Sequence, residues 1–410
     1  MVVFGAGAIG LGLLGDILSK SNYEIKFVDV NERIISALHA YRSYQFNIVG
    51  PKPRAITVMH VDGLTYADKG VIKKAIADSE VVFTATGEDA LSSIACVLAE
   101  GLIERTKRWR PLNVVCCENL HDSATLLKDH VMRRLGEFGS DIDACKVAEE
   151  VGFANTIVDK MCKSETHQTV SSYEPITKGL DATIEVEQEG ELTISQAALT
   201  EPEMKLVGVK YLDSTRFEAE RNKKTFAHNG GHALLAYFGA LKGHDYIRES
   251  GMDAGIKSVF YRAIANEIGK ALVRKYPSYF GSEQFGEYVN NIFFRMVDPY
   301  FSDTIERGMR SSIRKIGGHD ARLTRAAKFS IEQGIIPYNF CLIIAAALML
   351  NHIQAAEIEH TLLQVCGIDP TKDSELATII ARAYETLKDW QRLRFPILSL
   401  YLDQAGYYAQ

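Results

Sequence analysis

The stretch VVFGAGAIGLG, residues 2–12, decides the fold because it places a glycine loop directly after an apolar run. Gly5, Gly7 and Gly10 form the pattern GxGxxG. The valines and the phenylalanine before Gly5 are typical of a buried strand, and Ile9–Leu18 is typical of a helix. A GxGxxG loop between a strand and a helix indicates a dinucleotide-binding domain of the Rossmann type.

The three glycines have separate tasks in such a loop. Gly5 permits the tight turn, Gly7 lets the backbone approach a pyrophosphate, and Gly10 lets the helix pack close to the strand. The first turn of the helix offers N–H groups without partners in the helix, and phosphates bind there. We therefore expect cofactor contacts from six consecutive residues: Gly5, Ala6, Gly7, Ala8, Ile9 and Gly10.

Asp29 stands 19 residues after Gly10, at the end of the next apolar run, EIKFVDV. Its carboxylate can accept hydrogen bonds from an adenosine ribose and would repel a 2′-phosphate, which favours NAD over NADP. The loop alone leaves FAD open. A glycine-rich turn that holds no cofactor is the alternative interpretation.

The whole chain has 410 residues, and this length suggests two domains. Apolar strands alternate with helices up to the run NVVCCEN, which favours a parallel sheet covered on both faces. Residues 183–195, TIEVEQEGELTIS, alternate around a Glu-Gly turn and predict an antiparallel hairpin. Beyond Leu212 almost every segment has the pattern of a helix. We expect a Rossmann NAD-binding domain with an antiparallel extension in residues 1–205, and an all-helical substrate-binding domain in residues 206–410.

Composition narrows the class of protein further. The net charge of −6 and the lack of a basic stripe argue against nucleic acid. Seven scattered cysteines without metal-ligand spacing suggest free buried thiols and a cytoplasmic setting. The first residues run directly into a strand and a glycine loop, so we expect no signal peptide. The most apolar run, Cys341–Leu350, is too short to span a bilayer, so we expect no membrane partner.

The segment KKTFAHNGGHALLAYFG, residues 223–239, holds two histidines at i, i+4 spacing. A zinc site would need a third ligand and usually a glutamate base, and neither has convincing spacing here. Gly230 and Gly231 suit a loop that enters a helix, which Asn229 or Gly231 could cap without any chemistry. The cluster of Lys, Asn and His instead offers the groups that alcohol oxidation needs, a base and hydrogen-bond donors.

Lys224, Asn229 and His232 fit the signature K-x4-N-x2-H, which resembles that of the polyol-specific long-chain dehydrogenases. The chain is most similar to the mannitol-1-phosphate 5-dehydrogenase branch of that family. Nearly the whole chain takes part in the resemblance, which includes these segments in the same order: FGAGAIGLGLLG, PLNVVCCENL, VGFANTIVDK and DPYFSDTIERGMRSSIRKIGG.

The resemblance implies a role for each matched residue and a reaction without a metal. Lys224 matches the catalytic base, and Asn229 and Asn119 match asparagines that hydrogen-bond the reacting oxygen. His232 matches a histidine that binds and orients the substrate. A lysine removed from water can have its pKa lowered to roughly 7–8, which suits a base. The neighbouring Lys223 is expected to face solvent.

The branch implies a substrate, mannitol 1-phosphate interconverting with fructose 6-phosphate, and a monomer. Asn229-Gly230-Gly231-His232 departs from its usual Asn-Thr-Gly-His and is closer to the Asn-Gly-Ser-His of enzymes that act on free mannitol. Leu120-His121-Asp122 is a second departure. Two alternatives remain: the same chemistry on a free polyol or hexonate such as arabinitol or altronate, and a non-catalytic dinucleotide sensor.

A basic segment, ERGMRSSIRKIGGHDAR, residues 306–322, follows in the C-terminal part. A charge run of this kind usually faces water. A phosphate clamp is the functional hypothesis, because Arg binds phosphate oxygens in a bidentate manner. Arg310, Arg314 and Lys315 are the candidates for substrate binding, with Arg310 and Arg314 expected on one face of a helix. His228 and His319 receive no role.

Overall fold

The structure is a computed structural model that describes residues 1–105, 110–138, 147, 149–165, 173–200, 204–310, 312–317 and 321–409. It divides into two compact units, Met1–Phe217 and Glu218–Gln410. Each unit is described by itself below. His319 lies outside the described residues.

An eight-stranded sheet forms the centre of the first unit, in the order β12-β11-β8-β7-β6-β1-β2-β5. Six neighbouring strands, from β8 to β5, are parallel, as the alternation of strands and helices predicts. The strands of the unit are β1 (Val2–Phe4), β2 (Ile25–Asp29), β3 (Ser43–Ile48), β4 (Arg54–Met59), β5 (Val61–Thr65), β6 (Val81–Thr84), β7 (Leu112–Cys116), β8 (Val151–Val158), β9 (Cys162–Glu165), β10 (Thr183–Val186), β11 (Leu192–Ser195) and β12 (Val209–Leu212).

Two apolar clusters bury the faces of this sheet. Helices of the unit lie in the sequence between the strands, because parallel neighbours need crossover connections. These helices are α1 (Gly15–Lys20), α2 (Glu32–Tyr41), α3 (Lys69–Asp78), α4 (Leu91–Arg105) and α5 (Ser123–Glu137). A π-helical turn, Gly10–Leu14, precedes α1 and continues into it.

The hairpin predicted for residues 183–195 is wrong, although both of its strands form. β10 belongs to a second sheet of order β4-β3-β10-β9, whereas β11 belongs to the main sheet. Each strand pairs antiparallel with another segment, β10 with β9 and β11 with β8. Gly190, at φ +88°, comes so close to Asp159 that an added Cβ would lie 1.8 Å from its carbonyl oxygen. The two strands therefore follow residues 151–165 from one sheet to the other instead of folding back on each other.

The second unit is helical, in agreement with the prediction of an α/β domain followed by an all-helical one. Its helices begin with α6, Ser214–Asn222, inside which the boundary between the units falls. The others are α7 (Asn229–Lys242), α8 (Ile247–Met252), α9 (Ala254–Tyr261), α10 (Lys270–Lys275), α11 (Ser282–Met296), α12 (Ile305–Met309), α13 (Ser312–Ile316), α14 (Arg322–Glu332), α15 (Tyr338–Leu350), α16 (Ile358–Gln364), α17 (Ser374–Arg392) and α18 (Leu398–Gln404).

Gly230 and Gly231 lie within a helix, so the prediction of a loop at these positions is wrong. The chain is helical from α6 through a π-helical turn, Lys223–His228, into α7. A Cβ added at Gly230 would lie 2.9 Å from a ring carbon of Phe340. A Cβ added at Gly231 would lie 2.5 Å from a ring carbon of Phe260. The glycines therefore serve close packing, which outweighs the cost of about 1 kcal/mol for glycine in a helix.

The apolar helix α15 is buried in the core of the second unit. At the first turn of α15, the carboxylate of Glu267 accepts hydrogen bonds from the backbone and side chain of Asn339 and from the backbone N–H of Phe340. Burial raises the pKa of Glu267 to about 7, against these three donors. Of the helices that the structure describes, none is by itself long and apolar enough to cross a membrane. Helix α15 and residues 355–364 reach the necessary length and apolarity only when taken together, and the chain bends by 113° between them.

The cysteines for which the structure gives a position form no disulfide. Five of these six are buried, Cys116, Cys117, Cys162, Cys341 and Cys366, and Cys96 is half-buried. Cys145 lies outside the described residues.

Replacing Gly231 with Ala should destabilise the second unit, because the new methyl group meets the Phe260 ring. We expect a loss of about 1–3 kcal/mol in the free energy of unfolding, measured by urea titration with circular dichroism. Gly286→Ala is the matched control, because its Cβ would meet nothing within 4 Å in α11. That control should gain up to about 1 kcal/mol. Equal effects of the two substitutions would contradict the packing argument.

Candidate active site

The glycine loop has the geometry of a dinucleotide cradle. Gly5 has φ +104° and its amide donates to Val28 O at 2.8 Å, so the loop continues the ladder between β1 and β2. An added Cβ at Gly10 would lie 1.9 Å from Gly5 O, which explains the need for glycine where helix and loop meet. Gly7 is exposed, and a Cβ there would meet nothing within 4 Å. The loop thus leaves an open approach to its backbone, which fits a pyrophosphate.

Asp29 ends β2 and ties the loop to that strand. Its Oδ2 accepts from Ala6 N at 2.6 Å, and its Oδ1 accepts from Asn31 N at 2.8 Å. A carboxylate has about four acceptor positions, so these two bonds leave capacity for the hydroxyls of a ribose. The same charge would repel a 2′-phosphate, as the sequence predicts.

Asn119 lies three residues past β7, at the carboxyl edge of the sheet, and is exposed. The preceding residue, Glu118, is buried and joins the ends of two strands. Its Oε2 accepts from Thr84 Oγ1 at 2.8 Å and its Oε1 from Thr86 N at 3.2 Å. Burial raises the pKa of the Glu118 carboxyl. This buried anchor fixes the backbone from which Asn119 projects, and ligands of open α/β sheets bind at this edge.

Lys224, Asn229 and His232 lie on one continuous helical segment. Residues five apart in an α-helix are separated by about 140° around its axis. The π-helical turn Lys223–His228 changes this relation, because Asn229 N donates to Lys224 O, five residues earlier. Asn229 therefore follows one turn above Lys224, and His232 lies in the first turn of α7. π-Helical turns are frequent at functional sites.

The sequence predicts that Lys223 faces solvent, and this prediction is wrong. Its ammonium pairs with Glu220 and lies 4.7 Å from the ring centroid of Tyr288 and 5.3 Å from that of Phe280. These aromatic faces attract a cation once water is excluded. His228, which received no role, is buried at the end of the same turn.

His232 has a partner that the sequence did not indicate. Its Nε2 lies 2.8 Å from Oδ2 of Asp303, which is buried just before α12. The two residues are 71 positions apart in the chain. Asp303 precedes Thr304, whose side chain caps α12, so by sequence it looks like part of a helix start. Only the packing of α12 against α7 brings it to the histidine.

The basic segment does not form one helix, so the expected common face of Arg310 and Arg314 is wrong. Arg310 ends α12 in an extended conformation, φ −53° and ψ 130°, and Arg314 lies in the separate helix α13. Both are exposed. Lys315 instead donates from Nζ to Gly308 O at 2.6 Å, and Arg322 is buried.

The two histidines of the segment do not complete a metal site. Within the part of the chain that the structure describes, no three His, Cys, Asp or Glu side chains are grouped so that they could hold a metal ion. Metal independence stays a prediction that a chelator can test.

A dinucleotide cradle at a sheet edge, with a helical unit that carries Lys, Asn and His, defines an NAD-dependent secondary-alcohol dehydrogenase. The family model described as "Mannitol dehydrogenase Rossmann domain" matches residues 1–206, and the one described as "Mannitol dehydrogenase C-terminal domain" matches residues 218–384. The chain belongs to the mannitol dehydrogenase family. This confirms the resemblance found in the sequence and the use of NAD, and it sets aside the hypothesis of a non-catalytic sensor.

Individual relatives agree with this assignment. The chain is 35% identical over 362 residues to the "Mannitol-1-phosphate 5-dehydrogenase" of Oceanobacillus iheyensis, which covers 87% of this chain and 88% of the relative. Its fold is similar to that of the Pseudomonas fluorescens mannitol 2-dehydrogenase, solved in a ternary complex with NAD and D-mannitol, at TM-score 0.80 and 14% identity, covering 98% of this chain and 94% of that one. A D-sorbitol dehydrogenase gives TM-score 0.73 at 16% identity, covering 97% and 94%.

Replacing Asp29 with Asn should reduce the preference for NAD over NADP. The amide oxygen of Asn can still accept from Ala6 N, but the charge that repels a 2′-phosphate is gone. We expect the ratio of kcat/KM for NAD to that for NADP to fall by at least about tenfold. Asp62→Asn is the matched control on the adjacent strand β5, because Asp62 pairs with His39 and Arg42 instead. An unchanged ratio in the Asp29 variant would count against this role.

Proposed function

We propose that this enzyme interconverts mannitol 1-phosphate and fructose 6-phosphate with NAD and without a metal. Residues 1–205 would bind the cofactor and residues 206–410 the substrate. The observation that carries the proposal is the helical segment of Lys224, Asn229 and His232, in which Asn229 N donates to Lys224 O across the π-helical turn. The printed activity of the Oceanobacillus relative supports the choice of substrate.

In the proposed reaction the neutral amine of Lys224 takes the proton of the hydroxyl on the reacting carbon. NAD⁺ supplies the acceptor for the hydride that leaves that carbon. The amide of Asn229 donates a hydrogen bond to the oxygen as negative charge develops on it, which stabilises the transition state. Asn119 keeps its expected role as a second such donor, and His232 binds the substrate. The ketone, NADH and one proton are the products.

The surroundings of Lys223 argue against it as the base. Lys223 already holds an ion pair with Glu220 and packs its ammonium over two aromatic rings. A base needs a free lone pair for the hydroxyl proton, and an ammonium paired with a carboxylate favours the protonated form. Lys224 is half-buried and begins the i→i+5 bond that leads to Asn229.

Replacing Lys224 with Ala should lower kcat by about 10²–10⁴-fold, which is the usual contribution of a positioned base. The affinity for NADH, measured by fluorescence titration, should not change, because the cradle of residues 5–10 is untouched. Lys223→Ala is the matched control and should keep kcat within a few-fold of the wild type, while lowering stability. A larger loss in the Lys223 variant would reverse the assignment.

The absence of a metal from the reaction is tested with the wild type. Dialysis against a chelator should leave kcat unchanged. Activity that is lost and then restored by zinc would revive the two-histidine metal site and overturn the lysine mechanism.

The phosphate end of the substrate is assigned to Arg310 and Arg314. Of the five cations in the basic segment, Arg307 approaches Asp303 at 3.5 Å, Lys315 bonds the end of α12, and Arg322 is buried. Arg310 and Arg314 are the exposed ones. An exposed guanidinium can bind phosphate oxygens through two parallel hydrogen bonds.

A free polyol or a hexonate is the second candidate substrate, and Gly230 is the observation that favours it. The phosphate-using branch usually has threonine at this position. Packing offers a separate reason for glycine here, because any Cβ would meet the Phe340 ring at 2.9 Å. The departure therefore weighs little against a phosphorylated substrate.

Alanine at Arg310 or Arg314 should raise the KM for mannitol 1-phosphate about ten- to a hundredfold, since one charge-assisted bond contributes roughly 1.5–3 kcal/mol. The KM for NAD should not change. Arg392→Ala is the matched control, because Arg392 is an exposed arginine at the end of α17. Wild-type enzyme that oxidises free mannitol as efficiently as the phosphate would contradict the clamp and favour the second candidate.

The resemblance to the family also supports a monomer, and the cysteine usage supports the cytoplasm as its location. Light scattering during gel filtration would report the first, and localisation of a tagged chain the second.

A further inference from the structure

We propose that Asp303 is a positioning residue that holds His232 in the tautomer with its proton on Nε2. In this tautomer Nδ1 carries a lone pair and accepts a hydrogen bond from a hydroxyl group of the polyol. The proposal rests on the proposed function in so far as His232 binds the substrate. It adds which nitrogen of His232 binds the substrate, which group of the substrate this nitrogen binds, and which residue fixes the tautomer.

The imidazole of His232 is held at one edge and leaves the other available. Nε2 lies 2.8 Å from Asp303 Oδ2. Helix α12 packs against the same edge, because a Cβ on Gly308 would lie 3.4 Å from His232 Cε1 and 2.6 Å from Ala236 Cβ. The histidine side chain retains 20% of its exposure, whereas that of Asp303 retains 3%. The buried acid is thus an internal support, and the ring is the group that can reach a ligand.

The backbone around Asp303 is fixed on both sides. Its carbonyl oxygen accepts from Ile247 N at 2.9 Å, and Ile305 N donates to Asp245 O at 2.9 Å. Thr304, the next residue, caps α12 by accepting from Arg307 N at 3.2 Å. A side chain on a backbone held in this way has little freedom to turn from the ring. Such rigid support is what a positioning group needs.

The chemistry of the pair selects the tautomer. A carboxylate only accepts hydrogen bonds, so the ring nitrogen that faces it carries the proton. The second carboxylate oxygen, Oδ1, faces another cation, because Arg307 Nε lies 3.5 Å away. Asp303 therefore places one carboxylate oxygen at the ring and the other near a cation. An asparagine carries no charge, and its amide can turn either its oxygen or its NH₂ group toward the ring.

This tautomer gives His232 and Asn229 complementary tasks. The amide of Asn229 donates, so it suits an oxygen that becomes a carbonyl. Nδ1 of His232 accepts, so it requires a partner that still carries a proton. A ketone oxygen cannot supply one, whereas a hydroxyl on a neighbouring carbon can. We therefore assign His232 to a substrate hydroxyl that does not react, which selects for compounds with several hydroxyl groups.

The tautomer can be measured without any substrate. The chain has 11 histidines, which can be labelled with ¹⁵N and observed in long-range ¹H–¹⁵N spectra. The signals of His232 are identified by their loss in His232→Asn. We expect the wild type to carry the proton on Nε2 and Asp303→Asn to lose this preference. A proton on Nδ1 in the wild type overturns the proposal, even if the Asp303 variant fails to fold.

Kinetics test whether the tautomer matters for the substrate. Asp303→Asn should lower kcat/KM about ten- to a hundredfold, mainly through KM for the polyol. In a His232→Ala background the same substitution should have almost no further effect, because the two residues act as one unit. Asp298→Asn is the matched control, since Asp298 lies five residues earlier and accepts from Tyr300 N.

The outcomes separate this proposal from the proposed function. Equal losses from Asp303→Asn in the wild-type and His232→Ala backgrounds would mean a merely structural role and overturn the proposal alone. A wild type that turns over no polyol or polyol phosphate would overturn the proposed function, and the spectra would still decide whether Asp303 sets the tautomer.

Discussion

The backbone bond from Asn229 N to Lys224 O is the constraint on which the proposed chemistry of the helical unit depends. Lysine and asparagine five residues apart would point in different directions on a regular α-helix. The i→i+5 bond of the π-helical turn reduces that angular difference. The turn sacrifices regular i→i+4 bonds, so the surrounding packing has to stabilise it.

That packing is supplied by glycines and aromatic rings. Gly230 and Gly231 allow α7 to approach Phe340 and Phe260, and Gly308 allows α12 to approach His232. Phe340 is itself placed by Glu267, which accepts from its amide at the start of α15. Apolar contact therefore orders the helices, and the polar groups are fixed as a consequence. Interiors packed at this density transmit the position of one helix to the next.

The alternation of strands and helices in the first unit could be predicted, because the buried parallel strands are apolar runs in the sequence. β3 and β4 were missed, although a signal exists: Tyr44, Phe46 and Ile48 alternate with polar residues before a Gly-Pro turn. The pairing of β3 with β10 could not be predicted. It joins residues about 140 positions apart, and no local pattern encodes such a partner.

The sequence by itself determined the cofactor loop, the acid at the end of β2, the two-part architecture and the identity of Lys224, Asn229 and His232 as the candidate set. These follow from short-range spacing, in which neighbouring residues fix each other's position. Only the tertiary structure decided that the glycine pair is helical, that Lys223 is committed to Glu220 and two rings, and that Asp303 meets His232. Each of these depends on which helix packs against which, and the free energy of that choice is distributed over many apolar contacts far apart in the chain.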